Sequence, residues 1–383
     1  MMGNISIHDL ARVVDYLDEI NDPRRTAYGN IRHKLTDIIV IVFTATLCGY
    51  EDYEEMEEFG RLKLDFFKKF LELPGGIPDE SAFRRVLQCL NPLELREGLE
   101  NRLADVKIRK KGEGEGARLV NIDGKTIRGS GFHVVSAWIG EHGLTLGQLA
   151  AEKKSNEIKA VPKLPDILDV KGDVVTADAM GCQKEIAKKI REKGADYILA
   201  VKENQPTLYE DIKDYFEGME RGEIRELPDD VWQGAEEQGH GRVERREIRT
   251  VTGLEWLERR EAWEDLKAIV QYRTFRKEKG KETVQTDQYY ISSGDFSAQK
   301  FLTDIRGHWS IENQLHWMLD IVFREDECRV RTGNAALNLN ILRKMALHRL
   351  KKMKMEKKRV SAKRRMMHAA LDSDFLYEAL LSE

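Results

Sequence analysis

Two short stretches decide the fold, Val120-Asn-Ile-Asp-Gly-Lys-Thr126 and Val174-Val-Thr-Ala-Asp-Ala-Met-Gly181. Each begins with β-prone, mostly apolar residues and reaches an aspartate, Asp123 or Asp178, where the apolar run ends. Acidic residues at the carboxyl ends of buried strands lie where open α/β sheets place their functional sites. The same positions also suit an aspartate that only caps the following turn, so both interpretations stay open.

The segments around these stretches follow a regular order. Three β-rich runs separated by glycines, the first starting at Leu119, predict an antiparallel meander. The strand–helix–strand alternation from Val174 to Val201 predicts parallel strands joined by a crossover helix. This order is that of a ribonuclease-H-like sheet. We therefore predict an α/β fold with a ribonuclease-H-like mixed sheet, in which the strands that end at Asp123 and Asp178 are neighbours.

The remaining segments differ in character from this core. Apolar residues at helical spacing before Gly112 predict a helical domain, and the glycine-rich run Gly112–Gly116 predicts a linker. A long helix is expected over Ser297–Phe323, with a break near Gly307. The predicted domains are an α-helical N-terminal domain at 1–111 with possible DNA binding, the ribonuclease-H-like core at 117–203 and 294–342, a β-rich insertion at 204–293 and a basic helical tail at 343–383.

Composition restricts the class of protein. The chain has 383 residues, of which 41% are hydrophobic, and its net charge of −4 excludes a globally basic surface. The longest apolar run, Ile38–Cys48, is too short to span a membrane, and the N-terminus lacks the order of a signal peptide. The four cysteines form no CxxC pair. We expect a soluble cytoplasmic protein without a membrane partner.

Positive charge is concentrated near the C-terminus. Between Arg343 and Arg365, twelve Lys and Arg residues stand against one acid, Glu356. Such a segment can displace condensed counterions from a nucleic acid. It can equally be a solvated helix face, so by itself it indicates a polyanion partner without defining one.

A third acid joins the two strand-end aspartates as a candidate ligand. Two close carboxylates repel each other unless a cation compensates them, and Mg²⁺ prefers oxygen ligands. On a regular helical wheel Glu312 lies beside the apolar arc, together with His308, His316 and Asp320. A zinc site formed by His308, Glu312 and His316 is a weaker alternative, because the His-Glu-x-x-His order is absent.

A two-metal carboxylate site suits one reaction in particular. It can hold the attacking and leaving oxygens of an in-line phosphodiester displacement. Basic residues near the predicted site are candidates for contacts to DNA phosphates; they are Lys125, Arg128, Lys202 and His308. Each of them is otherwise an ordinary surface residue.

A series of motifs in one order resembles a known family, the DDE transposases of bacterial insertion sequences, in the branch of the H-repeat-associated proteins. The resemblance covers nearly the whole chain. The motifs are Leu47-Cys-Gly49, Gly76-Ile-Pro78, Asp123-Gly-Lys-Thr-Ile-Arg-Gly-Ser130, Leu146-Gly-Gln148, Glu152-Lys-Lys-Ser-Asn-Glu-Ile158, Val175-Thr-Ala-Asp-Ala-Met-Gly-Cys-Gln183, Asp196-Tyr-Ile-Leu-Ala-Val-Lys-Glu-Asn-Gln-Pro206, Gly239-His-Gly-Arg-Val-Glu-Arg245, His308-Trp-Ser-Ile-Glu-Asn-Gln-Leu-His-Trp-Met-Leu-Asp320, Phe323-Arg-Glu-Asp326 and Asn340-Ile-Leu-Arg-Lys-Met-Ala-Leu347.

The resemblance implies a reaction and its residues. The family's acids fall on Asp123, Asp178 and Glu312, which would hold two Mg²⁺ or Mn²⁺ ions. The implied chemistry is nicking at the ends of an insertion sequence, followed by attack of the freed 3′-hydroxyl on target DNA. The implied partners are the terminal inverted repeats, the target DNA and a second copy in a homodimer, at the nucleoid.

Departures from the family pattern leave alternatives open. Related transposases often carry Tyr, Arg, Glu and Lys around the third acid, and here only Glu312 remains, since the other places hold Ile305, His308 and Leu319. Asp320 is therefore a rival third acid. A ribonuclease-H-like nuclease without strand transfer, and an inactive transposase-derived DNA-binding protein, are the alternative functions.

Overall fold

The computed structural model describes residues 17–24, 31–101, 116–151, 163–239, 241–355 and 360–381. It divides into two compact units. The helical unit comprises Met1–Gly114, Thr126–Val134 and Asn313–Glu383, and the sheet unit comprises Glu115–Lys125 and Val135–Glu312. The finer domain boundaries expected from the sequence stay predictions, and the predicted linker and the motif at 152–158 lie outside the described residues, apart from Gly116.

The first helices belong to the helical unit. They are α1 (Leu35–Leu47), α2 (Tyr53–Leu62), α3 (Leu64–Phe67), α4 (Glu80–Cys89) and α5 (Pro92–Asn101). Every residue of α1 is buried, including Asp37 and three threonines in an otherwise apolar helix. The side chain of Asp52 caps α2 by accepting a hydrogen bond from the Glu55 amide at 2.8 Å.

The strands form a single mixed sheet. They are β1 (Leu119–Ile127), β2 (Phe132–Ile139), β3 (Leu144–Ala151), β4 (Val174–Ala177), β5 (Asp196–Val201), β6 (Asp230–Gln233), β7 (Glu237–Gly239), β8 (Arg242–Val251), β9 (Ala268–Glu278) and β10 (Thr283–Ser292). Their order is β3-β2-β1-β4-β5-β10-β9-β8-β6, and β7 pairs with β8. β1, β4 and β5 are parallel, whereas β5, β10, β9, β8 and β6 pair antiparallel. The predicted mixed sheet and the β1–β4 adjacency are confirmed.

A buried ion pair joins the starts of β1 and β4. The Arg118 guanidinium donates from Nε and Nη2 to Oδ2 of Asp173, at 2.9 and 2.5 Å, and the Arg118 amide donates to Oδ1 at 3.0 Å. Only 6% of the Arg118 side chain and none of the Asp173 side chain is exposed. These bonds help to fix the two strands in their register.

Two helices of the sheet unit accompany the central strands. They are α6 (Lys184–Glu192), which connects β4 to β5, and α7 (Pro206–Arg221), which follows β5. α6 buries Ile186, Ala187 and Ile190, so its apolar stripe packs into the core while its lysines face outward. The crossover helix between the parallel strands matches the predicted connection.

The predicted long helix Ser297–Phe323 is interrupted close to Gly307, as expected. α8 (Ala298–His308) ends one residue after Gly307, residues Ile311–His316 are π-helical, and α9 (Trp317–Phe323) follows. The Gly307 carbonyl accepts a hydrogen bond from the Asn121 side chain at 3.3 Å, which competes with the helical ladder at this point. The regular wheel used to group His308 with Asp320 therefore does not apply beyond His308.

The C-terminal helices belong to the helical unit. They are α10 (Ala335–Lys352), α11 (Ala362–Leu371) and α12 (Ser373–Leu381). α10 packs against α1 and α4, and three of the predicted tail cations, Arg343, Lys344 and Arg349, are at most 6% exposed. These three side chains are therefore part of the protein interior. They are not available to contact a nucleic acid, although the sequence counted them among the basic residues of the tail.

No helix within the described ranges is long and apolar enough to cross a membrane.

Candidate active site

The two aspartates come to neighbouring positions where the β1–β4 ladder ends. The expectation that Asp123 closes its strand is wrong, because β1 continues to Ile127, whereas Asp178 directly follows β4 as expected. The parallel register pairs Ile122 of β1 with Ala177 of β4. Asp123 and Asp178 directly follow these two paired residues. Both side chains are half-buried. Two residues 55 positions apart thus become neighbours, because β4 ends beside the middle of β1.

Each aspartate also makes the local bond expected of a turn residue. Oδ1 of Asp123 accepts from the Gly124 amide at 2.8 Å, and Oδ1 of Asp178 accepts from the Gly181 amide at 3.2 Å. The second bond caps the short 3₁₀ turn Ala179–Gly181. The capping and functional interpretations are therefore compatible, since capping also holds each carboxylate in a fixed direction.

A cleft of about 710 Å³ opens beside Asp178 in the sheet unit. Lys202, after β5, lines the cleft together with His308, at the end of α8, and Glu312, in the π-helical turn. Lys202 and Glu312 are exposed, whereas His308 is half-buried. Three of the predicted site residues therefore share this cleft with the strand end that carries Asp178.

A hydrogen-bond network connects the strand ends to α8. The Thr176 hydroxyl lies 2.7 Å from Oδ1 of Asn121 and 2.8 Å from Nδ1 of His308. The Asn121 amide nitrogen lies 3.2 Å from the Ser310 hydroxyl as well as near the Gly307 carbonyl. Asn121 and Thr176 are buried, so they hold the imidazole from beneath the cleft.

The charges that line the cleft are mainly negative. Glu203 and Asp287 lie in its wall in addition to Asp178 and Glu312, and Lys202 is the lysine among the lining residues. Asp287 is neutralised by the Arg273 guanidinium, whose Nε and Nη2 donate to it at 2.7 and 2.8 Å. The remaining acidic excess would repel a DNA backbone unless cations compensate it.

Tyrosine also contributes to the wall of the cleft. Burial raises the pKa of Tyr289 to about 12, and its side chain is 3% exposed. The phenol therefore stays protonated at neutral pH and does not act as a base.

Carboxylate oxygens are suitable ligands for Mg²⁺ or Mn²⁺. Among the described residues, however, no three His, Cys, Asp or Glu side chains lie close enough together to hold a metal ion. Asp123 and Asp178 are neighbours, and Glu312 lines the cleft that Asp178 borders. The donor chemistry therefore fits a divalent ion, although the three acids do not converge. The zinc alternative with His308 and His316 gains no support from this geometry.

The other predicted residues lie elsewhere. Lys125 is half-buried on β1, two residues after Asp123 and on the same face of the strand. Arg128 belongs to the helical unit, where its Nε lies 3.3 Å from Asp326 and its side chain is 86% exposed. Asp320, the rival third acid, is half-buried on α9 in the helical unit.

Three residues of the site were missed by the sequence reasoning. Trp309 lines the cleft and is 53% exposed, which is unusual for so large an apolar side chain. Asn121 and Thr176 each stand two residues before a site aspartate, and they are paired in the strand register. Their polar character within otherwise apolar strands was the signal that could have identified them.

Comparison with known proteins places the chain in a family. Residues 105–348 match the family model described as Transposase DDE domain, and residues 14–101 match one described as DDE_Tnp_1-associated. The chain belongs to the family of transposases with a DDE domain. The resemblance inferred from the motifs is confirmed.

Relatives extend over almost the full length. The H repeat-associated putative transposase YhhI of Escherichia coli strain K12 is 36% identical over 97% of this chain and 98% of its own length. The putative transposase YncI of Escherichia coli O157:H7 is 36% identical over 97% of this chain and 94% of its own. A shorter relative, the inactive transposase YbfQ of strain K12, is 30% identical over 21% of this chain and 92% of its own.

Proposed function

We propose that this protein nicks DNA at the ends of an insertion sequence and transfers the freed 3′-hydroxyl into target DNA. The observation that carries the proposal is the pair of aspartates at the point where the β1–β4 ladder ends, beside a cleft that Glu312 also lines. Membership of the DDE-domain family supports the same reaction class. A ribonuclease-H-like core is the fold that this membership implies, and the β3-β2-β1-β4-β5 order agrees with it.

We propose that Asp123, Asp178 and Glu312 hold two Mg²⁺ or Mn²⁺ ions. Bound divalent ions would lower the pKa of a hydroxyl nucleophile and stabilise charge on the leaving oxygen. The acidic excess of the cleft supports this assignment, because a divalent cation would relieve both the repulsion between the aspartates and the repulsion of DNA. Asp320 stays the alternative third acid.

We assign four residues to contacts with the DNA, namely Lys125, Arg128, Lys202 and His308. Lys202 has the most favourable position, since it is exposed and lines the cleft that contains Asp178. Each lysine or arginine that neutralises a phosphate releases counterions, which makes binding salt-dependent. The DNA partners are the terminal inverted repeats of the element and its target, and the two ends would be joined by a homodimer at the nucleoid.

Two other functions share parts of this geometry. A nuclease without strand transfer would need the same carboxylates, and an inactive DNA-binding derivative would not need them. The second is favoured by one observation, that the three acids do not converge on a metal position within the described chain. The family also includes a relative named as inactive.

One experiment separates the three functions. Purified protein is mixed with a labelled duplex that carries the ends flanking its gene, an unlabelled target DNA and Mg²⁺ or Mn²⁺. A transposase nicks the end and joins it to the target, whereas a nuclease yields the nicked product alone. Binding of the end without cleavage in either metal would contradict the proposal and leave the inactive derivative.

A further inference from the structure

The hydrogen bonds around Asn121 define where each proton lies. Its amide nitrogen is near the Gly307 carbonyl, a group that can only accept, so the amide oxygen is the atom that faces Thr176. The Thr176 hydroxyl therefore donates its proton to Oδ1 of Asn121 at 2.7 Å. A threonine has one hydroxyl proton, so in its second contact the Thr176 oxygen can act only as an acceptor.

The position of this threonine proton also determines which ring nitrogen of His308 carries a hydrogen. Nδ1 of His308 lies 2.8 Å from the Thr176 oxygen, which has no proton left to give. The bond therefore requires a hydrogen on Nδ1, with the threonine oxygen as acceptor. In a neutral imidazole the other nitrogen, Nε2, then carries the lone pair and is a hydrogen-bond acceptor.

The surroundings direct this acceptor towards the cleft. Thr176 is 2% exposed and Asn121 is fully buried, so the Nδ1 edge of the ring faces the sheet. The half-exposed remainder of the ring lines the cleft. The charged groups in the wall of that cleft are Asp178, Lys202, Glu203, Asp287 and Glu312.

We propose that Asn121 and Thr176 are positioning residues that lock His308 in its Nδ1–H form, so that Nε2 accepts a hydrogen bond from the attacking hydroxyl. That hydroxyl belongs to water in the nicking step and to the freed 3′ end in strand transfer. The role rests on the proposed function. For His308 this role replaces the phosphate contact expected from the sequence, because a neutral imidazole in this form has no Nε2 hydrogen to donate to a phosphate oxygen.

The first test is independent of activity. Nitrogen-15 NMR of the full-length, histidine-labelled protein at pH 8 reports which ring nitrogen of His308 carries the hydrogen, and the His308→Gln variant assigns the signal. The Nδ1–H form is expected in the wild type, and Thr176→Val should lose it. An Nε2–H form in the wild type would overturn the inference whatever the enzyme does.

The second test uses the nicking rate. Thr176→Val keeps the shape of the side chain but removes the hydroxyl, and we expect the rate to fall about 10- to 100-fold, as for other orienting partners. Thr176→Ser should restore most of the rate. Thr250→Val is the matched control, because Thr250 is a buried threonine of β8 whose hydroxyl bonds to the Asp230 carbonyl.

The outcomes separate the two proposals. No nicking by the wild type would refute the proposed function, while the NMR result would still stand or fall by itself. Nicking by the wild type, with Thr176→Val as active as Thr250→Val, would overturn the inference alone. Thermal unfolding of each variant shows whether a loss of rate reflects loss of the fold.

The salt dependence of DNA binding gives a third, independent readout. At pH 8 we expect Lys202→Ala to lower the slope of log affinity against log salt by about one, as for a lost phosphate contact. His308→Ala should leave that slope unchanged, because a neutral acceptor neutralises no phosphate. A lowered slope for His308→Ala would make His308 a phosphate ligand and overturn the inference.

Discussion

The two ends of the β1–β4 pair differ in charge and burial although they are built from the same two strands. At their start, Arg118 and Asp173 form a buried, neutralised ion pair. Where the β1–β4 ladder ends, Asp123 and Asp178 place two like charges in neighbouring, half-buried positions. Both pairs are 55 residues apart, since both follow from one register. The first pair joins opposite charges, whereas the second joins like charges, which suits it to bind a cation.

The ion pair at the start of the two strands helps to hold Asp123 beside Asp178. Two neighbouring carboxylates repel each other, and nothing about that pair favours the adjacency of the strands. The register is favoured instead by the four buried residues of β4 and by the bonds of Asp173 to Arg118. Functional sites commonly keep such unfavourable groups, with their cost offset elsewhere in the fold.

The largest expected effect is the loss of nicking activity when one of the three proposed metal-binding acids is replaced. Asp123→Ala, Asp178→Ala and Glu312→Ala should each lower the nicking rate by at least about 10³-fold, or about 4 kcal/mol of transition-state stabilisation. DNA binding should be retained, as measured by fluorescence anisotropy. Glu203→Ala is the control, because Glu203 is an exposed acid of the same cleft without an assigned role.

The same assay decides the identity of the third acid. Retained nicking in Glu312→Ala together with its loss in Asp320→Ala would transfer the role from Glu312 to Asp320.

The next effect concerns stability at the start of the strands. Asp173→Asn leaves Arg118 buried beside a neutral partner and should lower the free energy of unfolding by about 3–5 kcal/mol. Asp178→Asn should have little effect or a stabilising one, because it relieves repulsion. Urea unfolding of both variants measures the difference, and equal losses would contradict the distinction between the two ends.

A smaller effect is expected from the exposed cations of the C-terminal segment. Lys352, Lys363 and Arg364 are exposed, in contrast to the buried Arg349. If these three contact DNA, replacing all of them with Gln should flatten the salt dependence by about 0.9 for each lost contact. Lys188→Gln, an exposed lysine of α6, is the control for a general change in charge. An unchanged slope of log affinity against log salt would indicate that these cations are solvated and do not contact DNA.

The smallest effect is a difference in cysteine reactivity. Cys182 follows the turn that Asp178 caps, and burial together with the nearby Asp178 charge raises the pKa of its thiol far above the usual range. The thiol therefore stays protonated up to pH 9, and a maleimide should modify exposed Cys89 rapidly but Cys182 only after unfolding. Mass spectrometry of timed digests measures this. Rapid labelling of Cys182 would mean that the loop after Asp178 is not packed as described.

The adjacency of β1 and β4 could be predicted because it depends on local patterns, whereas the pairing of β10 with β5 in the same sheet could not. Apolar runs that end in an aspartate, and a helix between β4 and β5, leave few parallel arrangements. The bond from Asn121 to the Gly307 carbonyl, just before the π-helical turn at Glu312, could not be predicted, because it joins residues that are 186 positions apart. The burial of Arg343 was missed for the same reason: its partner Glu325 and its neighbour α1 are tertiary contacts.

Direct measurement of ion binding at the strand ends tests the central claim most closely. Manganese titration of the full-length protein with its end DNA, followed by the electron paramagnetic resonance signal of free Mn²⁺, gives the number of bound ions. We predict two ions for the wild type and the loss of at least one in Asp178→Ala, with Glu203→Ala unchanged. Equal binding by the wild type and Asp178→Ala would contradict the assignment of these carboxylates to the metal site.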